Sequence, residues 1–313
     1  MLRHLPFTDL YLGEHVAHMA GVPGTHDPLP VPGELELEIS ELRAKCASVW
    51  EQHGRDDFSI KYQNTSYRAS VIQSLADTVF VLRRFPESIP QLQQLGIHQK
   101  IIENLLEPNI TGLIVVSGTF GQGKTTTASS LVVSRLAALG GVAITIEDPP
   151  EMPLEGQHGL GVCYQTWAGK GGFADACRKA TRWAPSIIFL GEVRDGETAI
   201  EALRASINGR LVVCTTHSDN VTGAIERIFA LASSETSSED TTQLLAHGLK
   251  GVLHQRLEIH GDRKQVFLTS LWVDGPDETG IRSTITSRRI NQLQSFVDQQ
   301  RNQMLAQRNL FVK

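Results

Sequence analysis

The sequence predicts an α/β protein: a parallel sheet flanked by helices over the last two-thirds of the chain, preceded by a smaller mixed α/β region. Three observations carry this reading. From about residue 110, short apolar runs alternate with helix-spaced segments, the pattern of strands joined by crossover helices. The first of those runs, 110–117, leads into a glycine-rich octapeptide that opens a helix. The first 95 residues lack this alternation and close on Pro86 and Pro90, chain breakers that mark a linker.

A chain of 313 residues can bury one large core or two ordinary ones. Hydrophobic residues at 41% and charged residues at 20% are a globular balance rather than that of a disordered chain. The net charge of −5, with no Lys/Arg-dense stripe, argues against direct sequence-specific nucleic-acid binding. The four cysteines form no CxxC pair, which argues against a zinc ribbon and for reduced thiols used as small apolar fillers in a cytosol. Arg3, Asp9 and Glu14 interrupt any signal-peptide core, and the longest apolar runs are too short to cross a bilayer. A cytoplasmic location is therefore expected, with any membrane association made through a partner or a surface.

In chain order, 22–33 holds Pro23, Pro28, Pro30 and Pro32 and reads as a loop. Leu42, Cys46, Val49 and Trp50 recur at helical spacing, which predicts a helix over 39–52. Phe58, Ile60 and Tyr62 alternate with Ser59, Lys61 and Gln63, a strand over 57–63, and 67–73 and 78–85 read as two more. A helix over 92–106 leads into the second region. There a strand over 110–117 passes to a helix over 123–139 that stops at Gly140 and Gly141. Strands follow at 142–147, 186–190 and 211–216. Helices follow at 173–183, 197–207 and 220–232, the first two stopped by Pro185 and by Asn208-Gly209. Residues 233–240 are polar and read as a loop. The stretch 158–172 also reads as one, because no strand is seen to lead into its Gly169–Gly172 cluster. A helix is expected over 241–254 and a hairpin of 256–260 with 265–273 across 261–264. Ile290, Leu293, Phe296, Val297 and Met304 give helical spacing within 282–307.

The octapeptide Gly118, Thr119, Phe120, Gly121, Gln122, Gly123, Lys124, Thr125 fits G-x-x-x-x-G-K-[ST] throughout, between a strand and a helix. Its glycines let backbone N–H groups turn inward around a phosphate, and the helix N-terminus adds its positive end. Lys124 is placed to reach the β- and γ-phosphates, the Thr125 hydroxyl to ligate Mg²⁺, and Thr126 completes the nucleotide-binding stretch. The apolar run 186–190 ends in Gly191-Glu192, an acid expected near Mg²⁺ or its waters. The run 142–147 ends in Glu147, Asp148 and Glu151, with Pro149 and Pro150 between, and the run 211–216 ends in His217.

Together these residues resemble the secretion ATPase superfamily, and most of all its type IV pilus retraction (PilT-type) branch. The matching pieces are 118–125 as Walker A, 145–151 as an acidic box, 189–195 (FLGEVRD) as Walker B, and 215–217 as a histidine box. Phe7–Leu12, Tyr67-Arg68, Leu82–Pro86 and Gln255-Arg256-Leu257 are similar to further family elements. The family's four-cysteine assembly-branch motif is missing, and Arg210 stands where many relatives have a first histidine, so a conjugation or type IVB secretion relative is also in view. The resemblance implies a RecA-like P-loop NTPase domain over 96–313, with C-terminal helices, preceded by a small PAS-like α+β domain and linker over 1–95. It implies a homo-hexamer that hydrolyses ATP with Mg²⁺ to power a pilus, secretion or conjugal transfer machine. That assembly is cytoplasmic and held peripherally to the inner membrane through a platform protein. Of Glu192 and Glu151, one is expected to be the base for the attacking water and the other to hold Mg²⁺ or its waters. His217 is expected to sense the γ-phosphate, and Arg68 and Arg83 to approach a neighbour's nucleotide. A P-loop kinase and a low-turnover regulatory nucleotide-binding protein are the rival readings of the same loop.

Overall fold

The computed structural model describes residues 1–26, 28–169, 172–260 and 263–310, apart from the side chains at 259, 260, 263, 264 and 307–310. The chain divides into two compact units, Met1–Ser88 with Asp148–Pro153, and Ile89–Glu147 with Leu154–Lys313.

The first unit is a six-stranded antiparallel sheet with one long helix. Its strands are β1 (Asp9–Leu12), β2 (Ala17–Ala20), β3 (Leu29–Pro30), β4 (Asp57–Tyr62), β5 (Thr65–Gln73) and β6 (Thr78–Arg84), in the order β3-β2-β1-β6-β5-β4. Leu10, Leu12, Phe58, Ile60, Tyr67, Ala69, Phe80 and Leu82 are buried, so the period-two pattern puts one face of the sheet inside. Helix α1 (Glu36–His53) buries Leu42 and Cys46, and its Trp50 ring meets Phe80 edge-on at 6.2 Å. The helix ends where Gly54 takes a left-handed φ of 62°. The stretch 22–33 is not wholly loop: Leu29 and Pro30 pair with Met19 and His18, and the proline sits on the sheet's edge strand, where its missing N–H breaks no ladder.

The second unit is an eight-stranded sheet with helices. In chain order it comprises α2 (Gln99–Leu105), β7 (Gly112–Ser117), α3 (Lys124–Leu139), β8 (Gly141–Glu147), β9 (Gly156–His158), β10 (Gly161–Trp167), α4 (Gly172–Arg182), β11 (Ile187–Leu190), α5 (Gly196–Ile207), β12 (Leu211–Thr216), α6 (Val221–Ala232), α7 (Ser238–Gly248), β13 (Leu249–His260), β14 (Arg263–Trp272), α8 (Glu278–Thr286) and α9 (Leu293–Leu310). The strand order is β14-β13-β7-β12-β11-β8-β10-β9, parallel from β13 to β10 and antiparallel at both edges. Every residue of β7, β11 and β12 is buried, as expected for parallel strands covered on both faces. Leu113, Val115, Ile188, Leu190 and Val212 pack with residues of α4 to α9 in one core, while α3 packs on β7, β8, β10 and β12 through Ala128, Leu131, Val132 and Leu136.

Three further sequence expectations need correction. The helix expected over 241–254 stops at Gly248, and Leu249 onward is strand β13. The apolar Leu249, Val252 and Leu253 have the i, i+3, i+4 spacing of a helix, and pairing beside β7 overrides it. The helix expected over 92–106 is a short 3₁₀ turn, Leu92–Leu95, and then α2. Gly96 (φ 70°) breaks it, and His98 caps α2 by accepting the Lys100 N–H at 3.2 Å. The helical spacing of Ile290 to Met304 falls, as expected, on a short 3₁₀ turn and α9, which α8 precedes across a break where Arg288 takes a φ of 56°. The loop expected over 158–172 contains β10, which runs parallel to β8 for its whole length and does lead towards the Gly169–Gly172 cluster. Its exposed or half-buried Tyr164, Gln165 and Thr166 hid it from an apolar-run reading. Lys170, Gly171 and the hairpin residues 261 and 262 lie outside the described residues.

Candidate functional site

The carboxyl ends of β7, β8, β11 and β12 share one edge of the second unit's sheet, where open parallel sheets bind ligands. After Ser117 the backbone turns through Gly118 (φ 153°), Gly121 (φ 74°) and Gly123 (φ 77°). A Cβ at Gly118 would stand 2.5 Å from the Gln255 carbonyl oxygen, so the turn also needs the missing side chain for space. Helix α3 then starts at Lys124 with no side-chain cap and no acidic residue in its first turn, an N-terminus suited to an anion. Thr125 and Thr126 are half-buried on that turn, and Phe120 at the loop tip is 91% exposed.

Lys124 is 8% exposed. Its Nζ donates to the Thr119 carbonyl at 2.8 Å and lies 3.3 Å from His217 Nδ1. An ammonium has no lone pair, so Nδ1 accepts and the ring proton sits on Nε2. That nitrogen is 3.2 Å from Glu192 Oε1. The other Glu192 oxygen accepts from Arg194 at 2.8 Å (Nε) and 2.7 Å (Nη2). The result is a line of alternating charge, Lys124–His217–Glu192–Arg194, beside the loop. Burial first, and then the Lys124 charge, push the His217 pKa below its ordinary value, which keeps the ring neutral in this line.

The strand ends are tied together by polar bonds. Thr215 donates its hydroxyl to the Gly191 carbonyl at 2.5 Å, and its own carbonyl accepts from Val193 N–H at 3.0 Å. Ser117 Oγ lies 3.3 Å from His254 Nδ1, and burial lowers the pKa of His254 too. Glu147 ends β8 with 2% exposure and accepts from Gln165 Nε2 at 2.8 Å.

Both histidines bind a proton less readily in the folded chain than the ordinary pKa of 6.5 implies. Their contribution to stability is therefore fully present above that pH and is lost as pH falls through it towards the folded values. Thermal melting should be level above pH 7 and decline towards pH 5.5, with a shallower decline in His254→Gln. An unchanged acid limb in that variant would remove His254 from the account.

The remaining candidates lie in the first unit. Arg68 Nη1 donates to Glu151 Oε1 at 2.6 Å, so the structure pairs two residues that the sequence treated separately. Arg55 pairs with Asp148 at 2.7 Å, and Ser59 donates to the Pro150 carbonyl at 2.8 Å, so the segment Asp148–Pro153 is anchored on this unit's sheet. Arg83 forks onto Asp9, its register partner on β1, at 2.8 and 3.1 Å, and that carboxylate raises the Arg83 pKa. Sequence reasoning did not single out Arg194, Gln165 or His254. Arg194 was in view two residues beyond Glu192, whereas Gln165 is found only through the pairing of β10 with β8.

The chain matches the model of the family described as type II/IV secretion system protein over residues 48–290. It is 32% identical over 250 residues to YggR of Escherichia coli (strain K12), spanning 80% of this chain and 76% of that one. The putative type II secretion system protein E of the same strain is 33% identical over 227 residues, 71% of this chain, and the match spans only 42% of that relative's length. Among solved structures, the pilus retraction motor PilT with bound ADP aligns with a TM-score of 0.76 at 29% identity, over 94% of this chain and 86% of that one. With the family model covering most of its length, the chain belongs to the type II/IV secretion system protein family.

Proposed function

We propose that this chain is one subunit of a hexameric motor in which ATP hydrolysis at 118–125 powers a type IV pilus or a related secretion or conjugal transfer machine. The observation that carries the reading is the Lys124–His217–Glu192 line set beside an uncapped helix N-terminus at the carboxyl edge of a parallel sheet. The likeness to a retraction motor with bound ADP supports it. In this reading the second unit is RecA-like and the first PAS-like.

The loop amides and Lys124 hold the β- and γ-phosphates. Thr125 and Glu192 would hold Mg²⁺, which would supply charge neutralisation on the phosphate oxygens. The donor set fits that ion: the Thr125 hydroxyl and the Glu192 carboxylate are hard oxygen donors, and Mg²⁺ on a nucleotide needs only one or two protein ligands. His217 reports the γ-phosphate through its ring N–H, which Nε2 carries and which faces Glu192 in this structure. Of Glu192 and Glu151, whichever does not hold the ion or its waters orients the attacking water. Arg68 and Arg83 reach a neighbouring subunit's nucleotide only by giving up Glu151 and Asp9. No helix among the described residues is long and apolar enough to cross a membrane. Attachment to the inner membrane from the cytoplasm then runs through a platform protein. The purified chain should release phosphate from MgATP, with activity per subunit rising as it assembles. Absence of hydrolysis at every concentration overturns the proposal.

A further inference from the structure

Strand β13 pairs with β7 only as far as His254 opposite Ser117, and then continues to His260 with β14 alone. From Gln255 onward its other side is lined by the phosphate loop, and one loop residue meets it twice. Gln255 Nε2 donates to the Gln122 backbone carbonyl at 2.5 Å, and the Leu257 N–H donates to the Gln122 side-chain Oε1 at 2.7 Å. The Gln122 carboxamide thus takes the place of the next rung of the ladder after β7 has turned away. The fit is close: a Cβ at Gly118 would lie 2.5 Å from the Gln255 carbonyl oxygen, and one at Gly123 would lie 3.1 Å from Gln255 Nε2. Gln255 is 1% exposed, and its Oε1 has no hydrogen-bond partner among the described residues. A fully buried glutamine with an unpaired oxygen is costly for a core, where an apolar side chain of the same shape would pack at no such cost.

We propose that Gln255 is a positioning residue for the phosphate loop: with Gln122 it clasps the loop to the β13–β14 hairpin and holds it in the phosphate-accepting conformation. This rests on the reading of 118–125 as the phosphate loop. A loop turning at three positive-φ glycines has many other conformations open to it. A ligand's apparent affinity falls in proportion to the fraction of molecules whose loop is binding-competent, so releasing the clasp weakens binding without removing any group that touches phosphate. The same bonds tie the order of the hairpin to that of the loop.

The test is calorimetric titration of the full chain with MgADP, alongside thermal melting without nucleotide. Gln255→Leu and Gln122→Ala should each weaken MgADP binding about tenfold. The double variant should lose little more than the worse single one, because each bond restrains the same loop. Gln255→Leu should melt within a few degrees of the parent, since losing the unpaired oxygen offsets the Gln122 carbonyl left without its donor. Lys124→Ala separates the two levels: parental MgADP affinity in that variant means the phosphate-loop reading itself fails, and the clasp with it. If Lys124→Ala loses binding while both glutamine variants keep parental affinity, the clasp alone is overturned. If Gln255→Leu melts early, Gln122→Ala, at a half-buried position, decides, and parental affinity there overturns the proposal.

Discussion

Lys124→Ala should lose nucleotide binding and hydrolysis together, with turnover down by at least about a hundredfold. The ammonium is held at 8% exposure, donating to the Thr119 carbonyl and lying 3.3 Å from His217 Nδ1. Both are exchangeable partners, which is what a group that moves onto phosphate needs. Alanine leaves the loop amides and the α3 dipole but takes away the full positive charge that balances the phosphate oxygens. Alanine is a strong helix former and α3 opens on this residue, so the fold should survive the change. Phosphate release and MgADP titration check both halves. Parental turnover in the variant would move the site elsewhere.

Glu192→Gln should behave differently, keeping MgATP binding within a few-fold while turnover falls about a hundred- to a thousandfold. The carboxylate sits beyond the end of β11, with Arg194 on one oxygen and His217 on the other. Glutamine preserves the shape and loses the charge. Glu192 also raises the His217 pKa against burial and Lys124, so its neutral replacement holds that ring neutral to lower pH. Loss of turnover with retained binding places Glu192 in the chemical step, and normal turnover removes it.

The parallel sheet and the glycine-rich turn at 118–125 were legible because their signals are local. Buried parallel strands read as unbroken apolar runs, and the 118–125 loop needs glycine at turning points whatever surrounds it. Lys124, Glu192 and His217 each follow such a run, so strand adjacency alone brings them together. What stayed hidden depends on partners distant in sequence. Strand β10 is only part-apolar and is defined by its pairing with β8. Leu249–His254 carries helical spacing, which pairing beside β7 overrides in favour of strand. Glu147 and Glu151 look like neighbours in one acidic cluster, yet the first ends a strand of one unit and the second is held by Arg68 in the other. The Gln122–Gln255 clasp spans 133 residues of chain, and no local pattern foretells it.

The ring motor is tested most directly by phosphate release from MgATP by the purified chain over a range of protein concentrations, with molecular mass determined in parallel. Turnover per subunit should rise as the mass approaches that of six subunits. Constant turnover per subunit from a monomer would contradict the ring motor and would fit a P-loop enzyme that works alone.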